Sequence, residues 1–281
     1  MGAIDGIDHA VVTVRDLDAA SRAYERLGFA LTPRGRHPRL GTHNHTMMFA
    51  DRLTYFELIA VETPGPNTTF YESFLARREG VSSLALKSGD ARAVAAQLAG
   101  EPFRAGAAID FARAVELPGG PREARFTVTH FDPASTPGAR SFVCQQHTPD
   151  LVWRPDMLKH ANGATALKSV LIVVADVAAA ARWGKLFDVA PVVDPEEAVV
   201  PTATAAVILL APAAFRRRFP GEAALAALDP PFCAGLGFAV ADRAATAKWF
   251  QMKPIPIRDP GRGGPLVVGA AEACGALLLF G

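Results

Sequence analysis

The chain opens on an alternating, β-branched run, Ile7 to Val14, which predicts a strand with His9 facing one side. Asp16 or Asp18 then caps a helix over about Ala19 to Leu27, where Ala20, Ala23, Tyr24 and Leu27 fall at helical spacing and Gly28 stops it. A glycine- and histidine-rich stretch, Gly35 to His45, leads into the apolar run Met47 to Phe49. Thr54 to Val61 closes the unit as a largely apolar strand that holds one acid, Glu57. The unit reads as strand, helix, then two or three strands.

The same grammar returns along the chain. Thr63 to Asn67 is turn chemistry, and Phe70 to Arg78 predicts a short helix. Val81 to Lys87 reads as a strand, and Asp90 opens an alanine-rich helix to about Leu98, stopped by Gly100. Ala124 to Thr129 and Arg140 to Gln146 are the later strands of this second unit. Prolines 149 and 155 bracket a connection, with a boundary expected near Leu151 to Gly163. Beyond it, Val174-Ala175-Asp176, two alanines and Arg182-Trp183 reappear as Val240-Ala241-Asp242, two alanines and Lys248-Trp249, the mark of a repeated supersecondary unit. The pattern predicts four βαβββ modules paired into two halves, residues 1–150 and 164–281. Short turns between the strands after each helix require mixed or antiparallel sheets, curved, with helices on the outer faces; the class is α+β.

Asp8 to Val12, Asp16 to Ala20, Gly35-x-His37-Pro38, Gly41-Thr42-x-Asn44 and Glu57 to Val61, in that order, resemble the glyoxalase-like domain proteins of the vicinal-oxygen-chelate superfamily. Glyoxalase I, extradiol dioxygenases and bleomycin-resistance proteins belong to it. The resemblance is specific over Ile7 to Val61 and continues more loosely from His147 to Ala164. It implies modules used in pairs that curl into a cup around a metal or a small ligand.

Composition narrows the partners. Half of the residues are hydrophobic and a fifth are charged, a globular balance with enough apolar mass for a large core. Lys plus Arg number 29 against 28 Asp plus Glu, so no excess of charge draws nucleic acid or an anionic membrane surface. The three cysteines, Cys144, Cys233 and Cys274, form no paired motif and read as buried thiols of a reducing compartment. The first residues carry neither a basic region nor an apolar signal core, and no apolar run nears the ~20 residues that span a bilayer. A cytoplasmic monomer or homodimer acting on a small molecule is expected. Phosphate loops, dinucleotide fingerprints and nucleophile elbows are missing; Gly261 to Pro265 is glycine-rich but reads as a turn.

His9 and Glu57 are the sharpest chemical candidates. A strand imidazole is the commonest neutral ligand for a divalent transition metal. Glu57 sits between Phe56 and Leu58, where a lone carboxylate costs several kcal/mol unless it is paired or metal-bound. Its partner could instead be an arginine such as Arg34 or Arg36, and His9 could be a hydrogen-bonded interior histidine. In the family, paired modules supply histidines from first strands and acids from last strands. Aligning Asp16, Asp90, Asp176 and Asp242 puts Ser83, Ser169 and Gly235 where His9 stands, and about Gln145 where Glu57 stands. The third and fourth modules close on Val207 to Leu210 and Leu277 to Leu279, purely apolar, so the second half reads as a scaffold or an apolar pocket. Two strong ligands fall short of the usual three. His37, His43 and His45 are candidates for the third, His43 and His45 sharing one strand face. His147 ends the strand beside Gln145 and is a further candidate for the cup, while Trp153, His160 and Asn162 are expected to pack and cap the connection between the halves.

The resulting expectation is a small-molecule enzyme of lyase or dioxygenase type. In it a divalent metal (Zn, Ni, Mn or Fe) at His9 and Glu57 chelates two adjacent substrate oxygens. Glu57 shuttles the proton, and His45, Ser83, Gln145 and His147 face the substrate. Equally defensible is no metal at all: a binding protein of the bleomycin-resistance type that sequesters its ligand in an apolar cup.

Overall fold

The computed structural model describes residues 4–117, 119–261 and 263–281. Met1 to Ala3 therefore lie outside the described residues, as does Arg262 of the glycine-rich turn.

The first half runs β1 (Gly6–Thr13), α1 (Leu17–Arg26), β2 (Gly35–His37), β3 (Thr42–Met48), β4 (Tyr55–Val61), α2 (Thr69–Leu75), β5 (Gly80–Lys87), α3 (Ala91–Gln97), β6 (Ile109–Val115), β7 (Arg122–His130) and β8 (Arg140–Gln146). α4 (Pro149–Val152) and a 3-10 turn begin the connection. The second half repeats the order as β9 (Ala164–Val173), α5 (Ala180–Phe187), β10 (Val192–Val193), β11 (Glu197–Val200), β12 (Ala206–Leu210), α6 (Pro212–Arg218), α7 (Ala223–Ala226), β13 (Phe232–Val240), α8 (Arg243–Gln251), β14 (Ile257–Arg258), β15 (Leu266–Val268) and β16 (Leu277–Phe280). The aspartates that mark the repeat all cap. Asp16 accepts from Ala19 N at 2.9 Å and Asp90 from Arg92 N and Ala93 N. Asp242 accepts from Ala244 N and Ala245 N, and Asp176 from Ala178 N, opening a 3-10 turn ahead of α5. Each cap satisfies helix-start donors that have no intrahelical partner.

Each half makes one eight-stranded mixed sheet, ordered β2-β3-β4-β1-β5-β8-β7-β6 and β10-β11-β12-β9-β13-β16-β15-β14. The first strands of paired modules lie antiparallel at the centre (β1 on β5, β9 on β13), and each last strand runs parallel to its own first strand. In the first sheet the edges β2 and β6 also meet, curling it towards closure around a cup. β6 goes unrecognised in the sequence because its side chains are mostly exposed, Ile109 to 58%, so it carries little apolar signal.

Strand alternation sorts the side chains. Ala10, Val12, Phe56 and Leu58 of the first sheet and Val170, Ile172, Leu236, Phe238 and Leu278 of the second share one continuous core with residues of α1, α3, α5 and α8. The outer faces of the two sheets thus pack against each other. The alternate residues of the second sheet, among them Leu171, Leu210, Leu277 and Leu279, are covered by Phe215, Phe219 and Leu225 from α6 and α7. The second cup is plugged with apolar side chains. The connection is tied down as well: Trp153 Nε1 donates to Thr54 O, Asn162 Nδ2 to Leu27 O, and His160 accepts from Ala30 N while donating to Met48 O.

Candidate active site

The cup of the first half encloses a cavity of about 290 Å³. His9 reaches it from β1 and Glu57 from the parallel neighbour β4, where Val11 pairs with Glu57 and His9 with Tyr55. His9 Nε2 and Glu57 Oε2 face each other at 3.9 Å. Both side chains are nearly buried, and each is held from behind. Asn44 Nδ2 donates to Glu57 Oε1 at 2.6 Å. Arg34 and Arg36 are engaged elsewhere, with Asp18 and Glu62.

Asp8 is the unexpected member. Strict alternation turns it away from His9, but the β1–β5 pairing slips between Ile7 and His9, and this bulge brings the Asp8 carboxylate to His9 Nδ1 at 2.7 Å. Lys87 Nζ and Gln146 Nε2 donate to the same carboxylate. A carboxylate accepts, so His9 Nδ1 carries its proton towards Asp8 and Nε2 faces the cavity. Tyr55 stacks on the imidazole with centroids 4.2 Å apart, and Phe142 meets it edge-on at 5.7 Å.

Ser83 lines the cavity too; His45, Gln145 and His147 do not. On β3 it is Asn44 and Thr46 that face inward, so His43 and His45 share the other face, where His45 Nδ1 donates to Thr32 O at 2.7 Å. On β8 the inward residues are Arg140, Phe142 and Cys144. Gln145 points towards α3, bonding Ala91 N and Gly89 O, His147 bonds Thr127 Oγ1 at 2.7 Å, and both line a groove that shares His37, Asp110, Phe111 and Phe126 with the cup. Strand parity sets these three apart from the cup lining: one residue of offset exchanges the faces. His37 does reach the cup, bonded to Thr42 Oγ1, and burial drops its pKa to about 4. His130, also lining, is lowered to about 4 by burial and by Arg140. Tyr71 of α2 is pushed up to about 12 by burial and the nearby Glu57.

The register identifies the true counterpart of Glu57. β1 pairs with β4 at an offset of 46 and β5 with β8 at an offset of 57, while the central ladder pairs His9 with Ala85 and Val11 with Ser83, so the two-fold exchange that sets Asp16 on Asp90 puts Ser83 in the place of His9 and Ala85 in that of Val11. Glu57 then corresponds to Phe142, not Gln145. The four equivalent positions are His9, Glu57, a neutral hydroxyl and a phenyl ring packed on His9. Among the described residues no group of three or more His, Cys, Asp or Glu side chains is placed to hold a metal ion. A catalytic zinc centre takes three protein ligands. The donor set stops at two and does not fit a metal centre.

Paired βαβββ modules curled into a cup, with chemistry on the inner strands, define the class. The chain belongs to the glyoxalase-like domain family, whose model matches residues 7–187 and so extends beyond the first half. A hypothetical protein from Staphylococcus aureus has a similar structure, with a TM-score of 0.69 at 13% identity over 98% of both chains. A mutant of 4-hydroxymandelate synthase from Streptomyces coelicolor gives 0.60 at 16% identity, over 99% of this chain and 92% of that one. A fusion of a xylose isomerase-like TIM barrel with 4-hydroxyphenylpyruvate dioxygenase gives 0.57 at 16% identity, over 91% of this chain and 40% of that one. At these identities the likeness is one of fold. No curated protein matches the chain in sequence. Among the described residues no helix is long and apolar enough to cross a membrane.

Proposed function

We propose that the first half is the working half: its cup binds a small organic molecule, and His9 with Glu57 moves a proton on it, while the second half is scaffold. One observation carries this reading. The line Asp8–His9–Glu57 ends inside the cavity with His9 Nε2 opposite a Glu57 carboxylate oxygen 3.9 Å away. At that separation the two groups do not hydrogen-bond to each other, and both can reach neighbouring atoms of one ligand from the same side. His9 Nε2 takes the proton, Asp8 stabilises the imidazolium that forms, and the proton returns to a neighbouring ligand atom from that imidazolium or through Glu57, which Asn44 holds on the same side of the ligand. Isomerisation or elimination next to a carbonyl is the reaction class that uses such a pair.

Proton exchange tests this whatever the final product is. Small carbonyl compounds and organic acids are incubated with the protein in D2O, and exchange of their acidic C–H is followed by NMR. The wild type should wash deuterium into a bound ligand, and His9→Gln and Glu57→Gln should lose exchange while keeping affinity. Ligands that bind without any exchange would instead mark a sequestering protein of the bleomycin-resistance kind.

A further inference from the structure

Among the described residues, two guanidinium groups of the cup have no acidic partner. Arg113 reaches in from β6; among the described residues it makes no hydrogen bond or ion pair, and the face of Phe126 lies 6.0 Å away. Arg140 enters from β8, lies over Phe70 at 4.6 Å and approaches His130 Nδ1 at 3.3 Å. The two acids of the lining are taken: Glu57 by Asn44 and the His9 side of the cup, Asp110 by both oxygens on Arg92 and by Thr127. His37 and His130 are uncharged near neutral pH and add no further positive charge. A guanidinium in a partly apolar cavity gains most from a carboxylate or phosphate oxyanion, which its fork meets with two parallel hydrogen bonds.

Strand register sets the orientation. Glu57, Val11, Ser83 and Arg140 pair in turn across β4, β1, β5 and β8, so Arg140 stands level with Glu57. His9, Tyr55, Phe142 and His130 form the next level. An acid group at Arg140 leaves the body of the ligand over Tyr55 and Phe142, beside His9 Nε2. Arg113, from the wall formed by β6, is placed for the same group or for a second one.

We propose that the ligand of this cup is an organic anion with an apolar body, its oxyanion held by Arg113 and Arg140. This rests on the cup being the ligand site. The test is calorimetric titration of the full chain with matched pairs: phenylacetate, 3-phenylpropanoate and 4-phenylbutanoate, each against its neutral amide. At least one acid should bind about ten- to a hundredfold more tightly than its amide, the range for a charge-assisted hydrogen bond. That preference should shrink as NaCl is raised, vanish in Arg113→Gln/Arg140→Gln, and persist in Arg113→Lys/Arg140→Lys, which also controls for folding. Amides that bind as well as the acids, or an acid preference that survives Arg113→Gln/Arg140→Gln, would overturn the anion and leave the cup standing. Failure of every acid and every amide to bind would overturn both.

Discussion

Phe238 is where the two halves hold each other, and Phe238→Ala measures how much of the stability is shared. Its ring is 1% exposed and lies 5.4 to 5.6 Å from those of Phe29, Phe49, Phe56 and Phe280. Three of these four partners belong to the first half, one to the second. Truncating a buried phenylalanine costs about 3–5 kcal/mol through lost transfer and the cavity left behind. Aromatic pairs add about 0.5–1.5 kcal/mol each beyond area, which places this site at the upper end. Against a total stability of about 5–15 kcal/mol, that is a large share. Urea unfolding is followed by the fluorescence of single-tryptophan variants, one retaining Trp153 by the first sheet and one retaining Trp183 on α5. Both probes should report one transition whose midpoint falls together in Phe238→Ala. A cost below about 1 kcal/mol, or a shift in the Trp183 signal while Trp153 stays put, would refute the continuous core.

Leu278→Ala, at a fully buried position of the same core, should cost about 2–5 kcal/mol in the same assay. His9→Ala should be milder, about 1–3 kcal/mol by thermal or urea melting. It removes one hydrogen bond and one ring stack, but Asp8 keeps Lys87 and Gln146, and Glu57 keeps Asn44; a loss above about 4 kcal/mol would mean a buried charge had been stranded. Acid should weaken the fold in a defined window. Burial lowers His37, His130 and His160 to about 4 from the usual 6.5. Their contribution is therefore complete above pH 6.5 and is lost between 6.5 and 4, as the unfolded chain takes up protons that the folded one refuses, at most roughly 3 kcal/mol each. Urea midpoints at pH 7.5, 6 and 4.5 should fall in that order, less steeply in His160→Gln, and a flat profile would contradict the assignment.

Much of the fold was legible because its signals are local. Asp16, Asp90, Asp176 and Asp242 advertise a strand–cap–helix repeat, and each does cap. His9 and Glu57 stood out because a polar group in an apolar strand needs a reason. What stayed hidden depends on register. Asp8 joins His9 only through a bulge, and Phe142 rather than Gln145 answers Glu57 only once the β5–β8 pairing is fixed. Asn44, which satisfies Glu57, sat between two more conspicuous histidines that turned out to face the other way. Arg113 lies on an exposed edge strand that lacks an apolar pattern, and nothing local tells that its guanidinium enters the cup.

The cup is proposed to work through Asp8, His9 and Glu57, and Ser83 and Phe142 stand where a metal centre would need donors. The most direct measurement is the metal content per chain after incubation with Zn, Ni, Mn or Fe and removal of free ion, for the wild type and for Ser83→His/Phe142→Glu. The account predicts a substoichiometric wild type and a gain of one ion in the double variant. One ion per wild-type chain, released by His9→Ala, would contradict it.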